Sequence, residues 1–162
     1  MFRPSCVSGK SQKGVTGKMD IETLKDHIKK EEGFRNKVYL DHLGNRTIGY
    51  GHLCLPNENW EDNKVYDSKR LDKTFEYDFN IACQDAEKLI AKESVHPDAF
   101  CVLIDMCFNM GSPRVSKFQK MLAALDVQDY KTASTEMLDS KWATQVPNRA
   151  RRLSEIMEQC SS

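Results

Sequence analysis

Between Pro97 and Gly111 the chain is apolar on nearly every side: from 99 to 110 only Asp105 and Asn109 interrupt a run of Ala, Phe, Cys, Val, Leu, Ile and Met. Proline suits the first turn of a helix and glycine its end. A helix with apolar residues all round has no face to offer water and must be surrounded. At this length it falls short of the roughly eighteen apolar residues of a membrane span. This stretch is therefore expected to be the buried centre of a helical lobe.

The other elements follow from their spacing. Asp20 can cap a helix whose apolar positions Ile21, Leu24 and Ile28 recur at helical intervals, with Gly33 placed to end it. Val38-Tyr39-Leu40 and Thr47-Ile48-Gly49-Tyr50 read as short strands around a turn at Leu43-Gly44-Asn45-Arg46. Residues 54–70 hold Pro56 and several Asn and Asp without a sustained period, which predicts an irregular connection. Leu71, Phe75, Phe79, Ala82, Leu89 and Ile90 restore helical spacing. Three more helices are expected over 115–125, 129–138 and 147–157, the last with Pro147 in its first turn. The fold class is α+β, mainly α, with one small ribbon.

Charge excludes little and explains little. The formal net charge is zero, so no global basicity draws the chain to nucleic acid or an anionic surface. Locally, residues 1–53 carry ten Lys/Arg against six Asp/Glu, 54–98 carry six against eleven, and 112–162 carry eight against six. Such runs are ordinarily solvated faces. A nucleic-acid partner and membrane insertion are not expected, and a monomer is. Residues 1–19, with scattered Ser, Gly and Lys, read as a flexible tail. The opening Met1-Phe2-Arg3-Pro4-Ser5-Cys6 lacks the apolar core of a signal peptide.

Six cysteines (Cys6, Cys54, Cys83, Cys101, Cys107, Cys160) form no Cys-x-x-Cys pair and have no histidine at metal-ligand spacing, so neither zinc nor any other cofactor is expected. Three of them sit in apolar helical stretches, where a buried free thiol is the ordinary outcome. Cys6 and Cys160, one in each tail, are the best candidates for a bridge in an oxidising compartment. The cysteine count favours an extracellular protein, the missing signal peptide the cytoplasm of a host cell.

The chemistry lies in the carboxylates. Glu31 and Glu32 end the first helix, and Asp41 follows on the ribbon. Glu32 lies four residues after Ile28, at the edge of the apolar face, where partial desolvation would favour the protonated form. Glu31 is almost as close, and periodicity does not choose between them. A glutamate pair closing a helix is ordinarily just exposed.

The run Glu32-Gly33-Phe34-Arg35-Asn36-Lys37-Val38-Tyr39-Leu40-Asp41, followed by Thr47-Ile48-Gly49-Tyr50-Gly51-His52, resembles the phage-type (T4-like) lysozymes, glycoside hydrolase family 24. Phe108-Asn109-Met110-Gly111 and the segment from Trp142 to Arg152 resemble that family's central and C-terminal helices in the same order. The likeness covers about residues 20–158. In the family a Glu, an Asp after eight intervening residues and a Thr after five more form the catalytic set, which falls here on Glu32, Asp41 and Thr47. That spacing selects Glu32 over Glu31.

The resemblance implies a single lysozyme-like domain over 20–162, made of a small α/β lobe (20–70), a connecting helix (71–95) and a helical lobe (96–162), with a substrate cleft between the lobes. It also implies hydrolysis of the β-1,4 bonds between N-acetylmuramic acid and N-acetylglucosamine in bacterial peptidoglycan, in cell lysis or antibacterial defence. Glu32 would protonate the glycosidic oxygen, while Asp41 and the Thr47 hydroxyl hold a water on the opposite face of the sugar, inverting the anomeric centre. Arg149 matches an arginine that pairs with the catalytic acid; read from sequence alone it would be a surface cation. His52 matches a structural histidine whose acidic partner is here Asp78. Leu53, Phe108, Asn109 and Gln145 fall at sugar-contacting positions, Asn109 where the family has a glutamine. Met121 and Glu136 replace polar uncharged residues and put substrate preference in doubt. Two other readings compete: a wall-binding module without turnover, and an enzyme acting chiefly on chitin.

Overall fold

A computed structural model describes residues 18–161, which divide into two compact units. One comprises residues 25–80; the other joins the chain before residue 25 to the chain after residue 80. The proposed tail falls, up to residue 17, outside the described residues. Lys18 and Met19 are described, and both backbone N–H groups donate to the Asp98 carboxylate at 3.0 Å.

The first helix, α1 (Ile21–Glu32), starts where its cap requires: the Thr23 N–H donates to Asp20 Oδ1 at 2.7 Å. It stops at Gly33, whose φ of 73° no β-carbon favours. Strands β1 (Arg35–Leu40), β2 (Arg46–Gly49) and β3 (His52–Leu53) form an antiparallel sheet in that order. Tyr39 stands opposite Thr47, and Ile48 opposite His52. β1 begins three residues earlier than its apolar pattern suggests, because Arg35, Asn36 and Lys37 are exposed and an irregular register separates Arg35 from Tyr39. β3, only two residues long, leaves no pattern to read.

The sheet's inner face supplies Ile48 to a core completed by Trp60, Tyr66 and Leu71, with Val38 and Cys54 packed against it. The irregular segment 54–67 is thus anchored by two aromatic rings, whose centroids meet edge to face at 4.8 Å. Helix α2 (Ser68–Leu89) contributes Leu71, Phe75 and Phe79 to this unit, each almost fully buried.

In the other unit, α3 (Pro97–Met110) is buried from Asp98 through Cys107, as its all-round apolar surface demands. Gly111 ends it with φ 83° and an N–H donated to the Cys107 carbonyl. Beyond it the expected single helix over 115–125 is two: α4 (Ser112–Val115) and α5 (Gln119–Asp126). Pro113 starts the first of them early, and Phe118 leaves helical geometry (ψ 60°) to set its ring edge-on against Trp142. α6 (Tyr130–Leu138), capped by Asp129, and α8 (Pro147–Gln159) follow the expected spans closely. The five-residue α7 (Lys141–Gln145), capped by Ser140, is too short for periodicity to reveal. Ser134 on α6 donates to the Ser154 carbonyl on α8.

Cys101 and Cys107 are buried free thiols, while Cys83 is disulfide-bonded. Cys160 is also a free thiol, donating to the Ile156 carbonyl, which removes the expected bridge to Cys6. Cys6 itself lies outside the described residues. Among the described residues no helix is long and apolar enough to cross a membrane.

Candidate active site

The two glutamates that periodicity could not separate differ in their surroundings. Glu31 is exposed, whereas Glu32, the last residue of α1, is half-buried. Its carboxyl lies against Gly51, between β2 and β3, so closely that a β-carbon there would stand 2.7 Å from Oε1. The chain reaches this position through two left-handed residues, Gly49 (φ 67°) and Gly51 (φ 76°).

Asp41 follows β1 and folds the turn that joins it to β2. Its Oδ1 accepts the N–H groups of Asn45 (2.8 Å) and Leu43 (2.9 Å), and Oδ2 takes a longer contact from the Asn45 amide (3.4 Å). The Asn45 backbone donor, seconded by that of Leu43, holds the Asp41 carboxyl below its ordinary value. Asp41 therefore stays ionised in mildly acidic solution and keeps Oδ2 the less engaged of its oxygens.

Thr47 on β2 is buried, and its hydroxyl donates to the Asn45 carbonyl at 2.9 Å. With the proton committed there, the Thr47 oxygen presents lone pairs to any other partner. Opposite it, Tyr39 is raised above the usual phenol value, first by burial, while the Arg35 cation opposes the shift and the charges of Glu32 and Asp41 add to it. Tyr39 thus lies within the field of both carboxylates. Sequence reasoning passed over it; its place opposite Thr47 in the ribbon was the available signal.

His52 is hydrogen-bonded to two carboxylates. Its Nδ1 meets Asp78 Oδ2 at 2.7 Å and its Nε2 meets Glu58 Oε1 at 3.0 Å. Burial alone would push the imidazole down, but hydrogen bonds to Asp78 and Glu58, aided by their charges, raise it to about 9. At neutral pH it is a cation held on both sides, the work of a structural residue. Glu58 was not anticipated. Leu53, on β3, exposes about half of its side chain.

The remaining candidates belong to the helical unit. Asn109 Oδ1 accepts the Trp142 indole N–H at 2.7 Å, leaving its amide N–H groups for another acceptor. Phe108 is partly buried, and the exposed Gln145 accepts from Arg114 at 3.0 Å. Arg149 is no surface cation: it is 4% exposed and pairs with the fully buried Asp105, Nε to Oδ1 at 2.8 Å. Arg152 approaches the other oxygen of Asp105 at 3.5 Å. Met121 and Glu136 line a pocket of about 400 Å³ with Lys117, Lys120, Asp139 and Ser140. Among the described residues no cluster of three or more His, Cys, Asp or Glu could hold a metal ion.

Comparison with known proteins matches residues 29–155 to the family model described as phage lysozyme. The chain is 28% identical to the probable T4-type lysozyme 2 of Dictyostelium discoideum, across 85% of this chain and 95% of that protein. It is 28% identical to the pre-baseplate central spike protein Gp5 of Enterobacteria phage T4, across 83% of this chain and 27% of the other. With the peptidoglycan hydrolase gp36 of Pseudomonas phage phiKMV it shares 25% identity, across 82% and 15% respectively.

Proposed function

Because this chain belongs to the phage lysozyme family, and is thereby a glycoside hydrolase of peptidoglycan, we propose that Glu32, Asp41 and Thr47 carry the cleavage of its β-1,4 bonds between N-acetylmuramic acid and N-acetylglucosamine. The observation that carries this assignment is Tyr39, which is paired opposite Thr47 and feels the charges of both Glu32 and Asp41. Asp41 directly follows β1, and Thr47 lies on β2, the strand paired with it.

Glu32 is the acid. The backbone at Gly51 covers one side of its carboxyl, and in this role Glu32 gives its proton to the departing glycosidic oxygen. Asp41 is the base. Held ionised by its turn, it accepts through Oδ2 a proton from the attacking water. The Thr47 hydroxyl, its own proton given to Asn45, accepts the water's second hydrogen and fixes its orientation. Attack on the face opposite the leaving group inverts the anomeric carbon. Leu53, Phe108, Asn109 and Gln145 are proposed sugar contacts, Asn109 through its amide N–H groups. Arg149 and the His52–Asp78 pair support the site without entering the chemistry.

The test is clearing of a bacterial cell-wall suspension by the wild type and by Glu32→Gln, with the anomer of the first product read by NMR. Clearing that is lost in the variant, and a product of inverted configuration, support the assignment. A wild type that binds walls without clearing them would make the protein a binding module, and faster cleavage of chitin oligomers than of peptidoglycan would replace the substrate.

A further inference from the structure

The sheet has a weak point beside the proposed acid. β3 is two residues long, pairing through Thr47 with Leu53 and Ile48 with His52, and one further backbone bond, from the Cys54 N–H to the Arg46 carbonyl at 2.9 Å, follows it. The turn it closes, residues 49–51, contains two glycines in left-handed conformation, and glycine resists distortion less than any other residue. Yet Gly51 is the wall against which the Glu32 carboxyl rests. Two strand pairings and that one bond beyond them are little to hold such a wall in place.

The side chain next to Gly51 supplies what the ladder lacks. His52 is gripped from α2 by Asp78 and from the 54–67 segment by Glu58. Glu58 in turn gathers the segment around itself, its Oε1 accepting the Leu55 N–H at 2.9 Å and the Trp60 indole N–H at 3.0 Å as well as His52. Trp60 is fixed by the Tyr66 ring beneath it and by the Arg70 guanidinium stacked 4.3 Å from its centroid. Glu58 is therefore the joint through which a segment without regular structure pins β3.

We propose that Glu58 is a positioning residue for the Glu32 carboxyl, acting through His52 and the turn at 49–51. Charge-assisted hydrogen bonds of this kind fix orientation better than neutral ones. A reacting group displaced by fractions of an ångström loses much of its advantage. Glu58 touches neither the sugar nor the water; what it sets is how closely Gly51 covers the acid. The role rests on Glu32 being that acid, while the grip itself is measurable without turnover.

The experiment follows the titration of the Glu32 carboxyl by carbon-13 NMR in the full chain, assigned with Glu32→Gln. In Glu58→Gln the loosened turn admits water to the carboxyl, and the Glu32 midpoint is expected to fall by about half a pH unit or more even at about 1 M salt, where the loss of the Glu58 charge alone is screened. On a soluble peptidoglycan oligomer, kcat should fall on the order of tenfold with KM within about twofold. Lys25→Met, which breaks the Lys25–Glu76 ion pair of the same unit, should leave both readouts where they were. If the Glu58 variant does not fold, Asp78→Asn loosens the same imidazole from its other side and gives the same readouts. A lowered melting temperature with an unmoved Glu32 midpoint would reduce Glu58 to a structural group and overturn the proposal. Turnover retained by Glu32→Gln would instead remove the acid assignment, and the positioning role with it, even where the midpoint moves.

Discussion

Glu32 and Gly51 are fitted to each other: the carboxyl occupies the space that a side chain at 51 would need, and the backbone there, at φ 76°, is one that side-chain-bearing residues avoid. Gly51→Ala should therefore do two things. The strained backbone costs about 1–2 kcal/mol. The new methyl group, 2.7 Å from Oε1, moves the flexible carboxyl rather than the sheet, and wall clearing should fall on the order of a hundredfold. Gly111→Ala is the control, because that glycine has φ 83° but no contact with Glu32. With ψ at 153°, where essentially only glycine goes, it should lose at least as much stability in a thermal melt and keep its clearing rate within a few-fold.

The His52 clamp makes stability depend on alkaline pH. The folded imidazole titrates near 9 against an ordinary 6.5, so the folded state binds the proton more tightly than the unfolded chain. That contribution is complete below pH 6.5, shrinks above it and is gone once the pH has passed about 9. Urea melts at pH 6 and pH 9.5 should differ on the order of 2 kcal/mol more in the wild type than in His52→Gln. Equal alkaline slopes in the two proteins would show that His52 is not the cation described.

How much of this could be read in advance depended on whether a feature announces itself locally. Asp20, Pro97, Gly111 and Pro147 act on their own neighbours, and the helices they bound lie where the sequence put them. The break at Phe118 depends on Trp142, twenty-four residues away, and no local pattern carries it. β3 and α7 are shorter than the periods that would reveal them. The site divides the same way. The family resemblance of the run from Glu32 to His52 implied Glu32, Asp41 and Thr47, while periodicity along α1 left Glu31 and Glu32 level; the fold adds that Glu32 is covered and Glu31 exposed. Glu58 sits in a segment with no period at all, and its meaning comes entirely from three donors that folding brings to it.

Asp105 and Arg149 form a pair with almost no access to water, at 0% and 4% exposure. Arg149 and Arg152 both converge on this one carboxylate, at 2.8 and 3.5 Å. Asp105→Asn should cost about 3–5 kcal/mol, because it takes from the buried Arg149 guanidinium the carboxylate charge it meets at 2.8 Å. Replacing both, as Asp105→Leu with Arg149→Met, should recover much of that loss. Denaturant titration of the single and double variants checks it, and a double variant less stable than the single would show that the pair stabilises the helical unit beyond neutralising itself.

Asp41 offers the cleanest separation of chemistry from structure, because its two oxygens have different work. Oδ1 builds the turn by accepting from Leu43 and Asn45, and an amide oxygen can accept the same two bonds. Oδ2 is the proposed proton acceptor, and an amide nitrogen in its place cannot accept. Asp41→Asn should therefore melt within a few degrees of the wild type, yet lose wall clearing on the order of a hundredfold or more. The wild type should also carry a mark of the turn in its pH profile. With the Asp41 carboxyl held below 3.8, chiefly by the Asn45 backbone donor, the base stays ionised further into acid, and the acid limb of kcat/KM should fall below the ordinary carboxylate range. The turn's own contribution is present above pH 3.8 and lost as pH falls through the lowered folded value. An acid limb above that range, or an Asn variant that clears walls at the wild-type rate, would take the role of base away from Asp41 and leave it a turn residue alone.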